Sequence, residues 1–134
     1  MNKLILKIVS PDGEIFSGEA KSIIVTTVNG ELQVLAGHAD LISPLATGRA
    51  KLTLTDGTER SAAISGGFIL VSRDETKVVA TTFEFADEID INRANAAKQR
   101  AEEAIKTAKE TQEIELAKAK LLRAISRINV ATGK

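Results

Sequence analysis

Residues 78–105 read VVATTFEFADEIDINRANAAKQRAEEAI, and the pattern of hydrophobic residues changes within this stretch. Before Ala86, β-branched and aromatic residues alternate with polar ones, which is typical of a strand with one buried face. After Ala86, apolar residues recur every three or four positions, which is typical of one face of a helix. The chain is therefore expected to form a β domain over residues 1–86 and a helical domain over residues 87–134.

The N-terminal part contains the residues that interrupt regular structure, since eight of the nine glycines and both prolines lie before Ala86. Short alternating segments lie between these residues. Asn29-Gly30 and Asp56-Gly57 each separate two such segments, which indicates tight β-hairpins, and Ser72–Glu75 separates a third pair. Many short strands without intervening helices predict an antiparallel β-sandwich or barrel over residues 1–86.

Two helical segments follow, with apolar positions at helical spacing over Ile91–Ala108 and again over Ile114–Ile128. Asp90 is suited to cap the first helix, because a carboxylate accepts hydrogen bonds from the backbone N–H groups of a first turn. Residues 106–112 contain neither glycine nor proline. Helix propensity therefore allows one continuous helix, or two antiparallel helices that turn near residues 109–112.

The first helix is poor in large apolar residues, and alanines occupy most of its apolar face. Burial of small side chains gains little free energy, at about 25 cal/mol per Å² of apolar surface. A hairpin that packs on this face is therefore only weakly favoured by its own contacts. A ligand of modest affinity is expected to be sufficient to determine its state.

Composition excludes several classes of function. Lys plus Arg and Asp plus Glu both number 18, so the chain has no net charge that would attract nucleic acid. It has no cysteine and one histidine, which excludes disulfides, thiolate zinc sites, iron–sulfur clusters and sites with several histidine ligands. No apolar run has membrane-spanning length, and the first residues do not resemble a signal peptide. A cytosolic location is the expectation.

Common catalytic arrangements are also absent from the sequence. It contains neither a GxxxxGK[ST] phosphate loop nor a GxGxxG segment, and Gly66-Gly67 is expected to mark a bulge or a tight strand bend rather than a ligand site. His38 and Asp40 lie two positions apart but have no third partner, so His38 is interpreted as a structural loop residue. The chain is not expected to be an enzyme.

Four arginines in the helical part form a candidate anion site. Arg93 and Arg100 lie seven positions apart on the first helix, and Arg123 and Arg127 lie four apart on the second. In a hairpin the four guanidinium groups converge near its open end, where their planar donors suit phosphate oxygens. The alternative is a solvated basic surface, and the spacing alone leaves both interpretations open.

Three groups of residues carry a resemblance to a known family. They are Gly30-Glu31-Leu32 with Gly37-His38-Ala39, Leu41 and Leu45; Ser65-Gly66-Gly67-Phe68; and Ile89-Asp90-Ile91-Asn92-Arg93-Ala94. By their order and spacing the chain resembles, along its whole length, the epsilon subunit of bacterial F-type ATP synthases. It departs from that family at Ala36, where many members have proline, and at Leu70, where many have an acidic residue.

The resemblance implies a non-catalytic subunit of the central stalk in a proton- or sodium-driven ATP synthase. The β-sandwich would bind the gamma subunit and the ring of membrane c subunits. The two helices would either fold into a hairpin or extend toward the alpha and beta subunits of the catalytic head and inhibit ATP hydrolysis. The subunit would lie peripherally on the cytoplasmic face of the bacterial membrane, with no membrane contact outside the complex.

The resemblance also implies a regulatory ATP site that needs no magnesium and no other cofactor. The segment from Ile89 to Ala94 matches the family motif Ile/Leu-Asp-x-x-Arg-Ala. Ile89 and Asp90 would contact the adenine, and the arginines would hold the phosphates. The residues assigned to nucleotide binding in this way are Glu84, Ile89, Asp90, Arg93, Ala94, Arg100, Arg123 and Arg127.

Two alternatives to the regulatory subunit remain. One is a purely structural stalk clamp without useful ATP affinity, and the other is an unrelated small-molecule-binding β-sandwich with a helical dimerisation tail. ATP titration separates the first alternative from the regulatory subunit. The molar mass in solution and co-purification with a membrane ATPase separate the second.

Overall fold

The computed structural model describes residues 3–133, and it divides into two compact units, Met1–Phe85 and Ala86–Lys134. Residues 1, 2 and 134 of the predicted domain ranges lie outside the described part. The predicted order of a β-sandwich followed by two helices is confirmed. The strands are β1 (Leu4–Ser10), β2 (Gly13–Thr27), β3 (Gly30–Leu35), β4 (Leu41–Pro44), β5 (Gly48–Leu54), β6 (Glu59–Val71) and β7 (Thr76–Phe85); a one-turn 3-10 helix (Ala86–Glu88) precedes α1 (Ile91–Thr107) and α2 (Thr111–Thr132).

Five of the strands form a closed ring of hydrogen-bonded neighbours in the order β1, β7, β6, β5 and β2, with β2 pairing back to β1. The two short strands lie beside this ring, β3 on β2 and β4 on β6. The first half of β2 pairs with β1 and its second half with β3 and β5, with an irregular register between Ala20 and Ser22. Because long strands change partners along their length, one sheet folds over into the two layers of a sandwich.

One pairing differs from the expected all-antiparallel arrangement. β1 and β7 run parallel, with Leu6 opposite Thr76 and Val9 opposite Val79. These strands are the first and the last of the β domain, so no short turn constrains their relative direction. The alternating patterns that predicted the strands carry no information on this point, so they do not indicate the one parallel pair in this otherwise antiparallel sandwich.

The three predicted hairpins are confirmed by the strand register. β2 joins β3 through a two-residue turn, since Thr27 pairs with Gly30. At the turn between β5 and β6, Thr58 donates its backbone N–H to Asp56 Oδ1 at 2.9 Å. This hydrogen bond is the main cause that lowers the pKa of the Asp56 carboxyl below its ordinary value. At the third turn, between β6 and β7, the N–H of Ser72 donates to the carbonyl of Glu75 at 2.9 Å.

The core of the β domain consists of large aliphatic side chains that alternate with outward-facing residues. Leu6 and Ile8 of β1, Ile23 of β2 and Ile69 of β6 have no exposed surface. Full burial of each such side chain contributes about 1.5–3 kcal/mol. The closed ring and this core make the β domain well packed throughout.

β6 is one continuous strand that runs through Gly66-Gly67, the pair expected to mark a bulge or a tight strand bend. Both glycines have positive φ, 69° and 99° respectively. The register with β7 is the same on both sides of the pair, so the feature is a bend rather than a bulge. β6 pairs with β5 before this bend and with β4 after it, and the carbonyl of Gly67 accepts the N–H of Leu45 at 2.8 Å. The bend therefore carries β6 from one layer of the sandwich to the other.

The two helices form a hairpin rather than one continuous helix. Ala108 leaves helical geometry with φ −68° and ψ 136°, and residues 108–110 connect the helices without glycine or proline. The turn therefore begins one residue before the predicted range of 109–112. The fully helical alternative for this segment is not the state observed. Nearly all of the buried residues of the helices are small: Ala94, Ala101, Ala117 and Ala124, with Val130.

Gly67→Ala is expected to destabilise the β domain by about 2–5 kcal/mol. A residue with a Cβ is strained in the left-handed backbone conformation, and the added methyl group would also overpack this site. A Cβ on Gly67 would overlap the carbonyl oxygen of Val79. The matched control is Gly57→Ala, since Gly57 has φ 91° but no atom within 4 Å of its Cβ position. The control is expected to lose only about 1–2 kcal/mol. Urea unfolding followed by circular dichroism measures both losses, and equal losses would contradict the close approach.

The start of α1 generates a second prediction. Asp90 is in extended geometry and its Oδ1 accepts the backbone N–H of Arg93 at 3.1 Å, as predicted for a cap. Asp90→Ala is expected to destabilise the first turn of α1 by about 1 kcal/mol. Amide hydrogen exchange in that turn should then be roughly fivefold faster. Asp90→Ser retains a capping oxygen and is expected to preserve most of the protection. Unchanged exchange in the alanine variant would show that the cap is not important for α1.

Candidate functional site

A groove of about 510 Å³ lies between α1 and α2. Its wall consists of two kinds of side chain, alanines and long basic residues, and no carboxylate of residues 3–133 lines it. Such a composition combines space with positive charge, which is the combination that an anionic ligand requires. The lining residues are Ala97, Arg100, Ala101, Ala104, Lys120, Arg123, Ala124 and Arg127.

The spacing of these residues explains the groove. On each helix the lining positions follow one another at intervals of three, one and three residues, which places them on a single helical face. The alanines provide a floor because a methyl group fills little of the space between two helix axes. The basic side chains are long enough to extend along the sides of this floor.

The electrostatics of the groove are those of a cationic site. Within residues 3–133, no carboxylate lies within ion-pair distance of Arg100, Lys120 or Arg123. The nearest ion pair along α1, between Lys106 Nζ and Glu103 Oε1 at 3.8 Å, involves two exposed side chains outside the groove. Arg100, Lys120 and Arg123 therefore repel one another, and a bound anion would relieve this repulsion. Arginine donors in particular match the oxygens of phosphate.

The structure brings three of the eight expected nucleotide-binding residues together in this groove: Arg100, Arg123 and Arg127. Four others lie at the beginning of the helical unit. Ile89 and Ala94 are buried, at 9% and 0% exposure. Asp90 caps α1. Arg93 lies about one turn before Ala97 and does not line the groove. The last one, Glu84, lies on β7 of the other unit, opposite Ala63 of β6.

Lys120 is a groove residue that sequence reasoning missed. It precedes Arg123 by three positions and Arg127 by seven, so the same helical spacing that grouped the two arginines includes it. The signal was thus present in the sequence. It was overlooked because the family motif assigns no role to this position, and lysines are common on solvated helix faces.

The other candidates of the sequence carry no site. His38 Nδ1 donates to the carbonyl oxygen of Ala39 at 2.7 Å, and no bond between His38 and Asp40 occurs among the described residues. In the part of the chain that the structure describes, no three potential metal ligands cluster together. A search of the same residues for a helix of sufficient length and apolarity to cross a membrane finds none.

Two family models match the chain in succession. The model described as "ATP synthase, Delta/Epsilon chain, beta-sandwich domain" matches residues 3–86. The model described as "ATP synthase, Delta/Epsilon chain, long alpha-helix domain" matches residues 87–132. Together they cover both units of the structure.

Solved structures with the same fold include a chain of the Euglena gracilis mitochondrial ATP synthase. It has a TM-score of 0.82 at 23% identity, over 94% of this chain and 79% of that one. A chain of the Tetrahymena thermophila mitochondrial ATP synthase has a TM-score of 0.66 at 15% identity, over 98% and 95% of the two chains. At these identities the likeness establishes the fold.

Curated relatives match at higher identity and along nearly their whole length. The ATP synthase epsilon chain of Shouchella clausii is 40% identical over 129 residues, which cover 96% of this chain and 95% of the relative. The epsilon chain of Latilactobacillus sakei is 41% identical over 132 residues, which cover 95% and 91% of the two chains. On these matches, together with the two family models, the chain belongs to the family of bacterial ATP synthase epsilon chains.

Proposed function

We propose that this chain is a non-catalytic central-stalk subunit of a bacterial ATP synthase whose helical hairpin binds ATP and thereby regulates ATP hydrolysis. The stalk role is supported by the epsilon-chain relatives and by the two structures of the same fold. One of those structures is described as the OSCP, F1 and c-ring part of its complex, and the other as the central stalk and c-ring. By analogy, the proposed partners are the gamma subunit, the c-ring and the alpha and beta subunits, at the cytoplasmic face of the membrane.

An exposed apolar surface supports the docking role of the β domain. Ile42 of β4 and Phe68 of β6 are 70% and 53% exposed. Ile42 lies opposite Leu70 and Phe68 lies opposite Pro44, so all four share one outward face of the sheet. An exposed patch of this kind is typical of a surface that binds another protein. We assign it to contacts with the stalk.

The cationic groove supports the ATP site. The negative charges of a triphosphate would offset the repulsion between Arg100 and Arg123, and Arg127 lines the same groove. Because protein cations provide this compensation, binding does not require magnesium. Asp90 and Ile89 at the start of α1 are proposed to contact the adenine, with Arg93 and Ala94 completing the site within the helical unit.

The single observation that carries the regulatory proposal is that both helices supply basic residues to one groove above a floor of alanines. An anion in this groove binds both helices at once, so it binds the hairpin and not a straight helix. The alanines contribute little packing energy of their own. A ligand at a hundredfold excess over its Kd stabilises the state that binds it by about 2.7 kcal/mol.

The proposed mechanism is a shift between two populations. At high ATP the nucleotide keeps the helices folded and the motor is free to turn. At low ATP the segment at residues 108–110, which contains no glycine or proline, becomes helical and the arm straightens. The extended arm then reaches the alpha and beta subunits and obstructs rotation during ATP hydrolysis.

Removal of one groove cation is expected to weaken ATP binding. Arg100→Gln and Arg123→Gln should each lower the affinity by about tenfold or more, since a hydrogen bond to a charged group contributes about 1.5–3 kcal/mol. Arg73→Gln, an exposed arginine in the turn after β6, is the control and should bind like the parent. Calorimetric titration of the purified chain with ATP, with and without magnesium, measures this. Unchanged affinity in both groove variants would exclude the groove as the site.

The hairpin equilibrium itself is measurable because the chain has no cysteine of its own. Spin labels can be attached at Gln99→Cys and Lys118→Cys, since both parent residues are exposed. In the hairpin the axes of the two labelled helices are roughly 10 Å apart. In a straight helix the 19-residue separation spans about 30 Å. ATP is expected to increase the short-distance population, and the Arg123→Gln variant should not respond. A distance that is the same with and without ATP would leave a fixed structural clamp as the function.

A further inference from the structure

The groove contains a basic residue to which the family motif assigns no role. Lys120 lines the groove together with Arg100, Arg123 and Arg127. It lies on the same face of α2 as the two arginines of that helix. Its side chain is exposed, and no carboxylate among residues 3–133 pairs with it. No ion pair within the described part of the chain therefore occupies the ammonium group, which is available to a ligand in the groove.

The position of Lys120 along the hairpin distinguishes it from the other cations of α2. The helices run in opposite directions from the loop at residues 108–110. Arg100 lies eight residues before that loop and Lys120 ten residues after it, so they occupy similar heights in the hairpin. Arg127 lies seven residues further along α2, about 10 Å along the helix axis. Arg100 and Lys120 thus form the loop end of a row of cations, and Arg127 forms its open end.

The orientation of a bound nucleotide follows from the proposed adenine contacts. Ile89 and Asp90 lie at the start of α1, which is the open end of the hairpin. A nucleotide with its base there directs its phosphate chain toward the loop. The phosphates near the ribose would meet Arg127 and Arg123 first, and the last phosphate would meet Arg100 and Lys120.

We propose that Lys120 binds the terminal phosphate of a nucleoside triphosphate and makes the site prefer triphosphate to diphosphate. This inference rests on the ATP site proposed above. A lysine ammonium has three donors and acts as a point charge toward phosphate. A diphosphate that is bound in the same orientation ends before it reaches Lys120, so its affinity does not include this contact. The selectivity of the site for ATP over ADP then depends on the loop end of the groove.

The experiment compares ATP and ADP affinities, by calorimetry without magnesium, for the full chain and three variants. Lys120→Gln is expected to lower ATP affinity by about tenfold and ADP affinity by less than about twofold. Lys120→Arg should retain the preference for ATP, because it keeps the charge. Lys118→Gln removes the same charge two positions away, from an exposed position outside the groove, and should leave both affinities unchanged. Lysine, glutamine and arginine have similar helix propensities, so none of these changes should unfold α2.

The outcomes separate this inference from the function on which it rests. A parent chain that binds no ATP would overturn both. If the parent binds ATP but Lys120→Gln binds it equally well, or loses ATP and ADP affinity to the same degree, only the role of Lys120 is overturned. A loss of ATP affinity in Lys118→Gln as large as that in Lys120→Gln would also overturn it, because the effect would then be one of overall charge.

Discussion

The behaviour of the helical unit depends on a contact made of alanines. Ala94, Ala101, Ala117 and Ala124 are buried, and burial of four methyl groups gains about 3 kcal/mol at about 0.8 kcal/mol each. That gain is close to the stabilisation of about 2.7 kcal/mol from a ligand at a hundredfold excess over its Kd. A contact of leucines would contribute several times more and would make the hairpin permanent. With alanines, the proposed nucleotide would have enough binding free energy to determine the conformation.

The β domain is constructed in the opposite way. Its large aliphatic residues are fully buried, its strands close into a ring, and Gly67 makes a backbone contact in which a larger residue does not fit. Loss of any one of these features affects the whole sandwich, because the neighbouring strands share it. A rigid body of this kind is suited to remain bound to a rotor while an adjacent element changes shape. The difference in packing between the two units is therefore the physical basis of the proposed division of roles.

The sequence predicted an element well where neighbouring residues alone determine its conformation. Asn29-Gly30 and Asp56-Gly57 marked hairpins, and the change of hydrophobic period marked the first helix. The parallel pairing of β1 with β7 was missed, because strand direction between distant segments depends on the whole sheet. The glycine pair at 66–67 indicated a bulge or a tight strand bend, and the unbroken register with β7 identifies it as a bend.

The candidate site was also predictable only in part, because some of its features follow from local sequence and others from the fold. Arg100, Arg123 and Arg127 were predicted from helical spacing and from the family resemblance, and the hairpin brings them to one groove. That the chain turns at residues 108–110 was not decided by local propensity, which allows helix there. Lys120 shares the helical spacing of Arg123 and Arg127, but lysines are common on solvated helix faces, so the spacing alone did not distinguish it.

The parallel pairing of β1 with β7 has a consequence for biosynthesis. The ring closes only after its last strand, which ends at Phe85, has left the ribosome. Until then, the edges of the earlier strands remain unpaired. Such long-range closure makes folding slow compared with that of helices, which form from local contacts. The helical tail emerges after the ring is complete in sequence. Strands β1 to β7 of the β domain are thus all synthesised before the two helices.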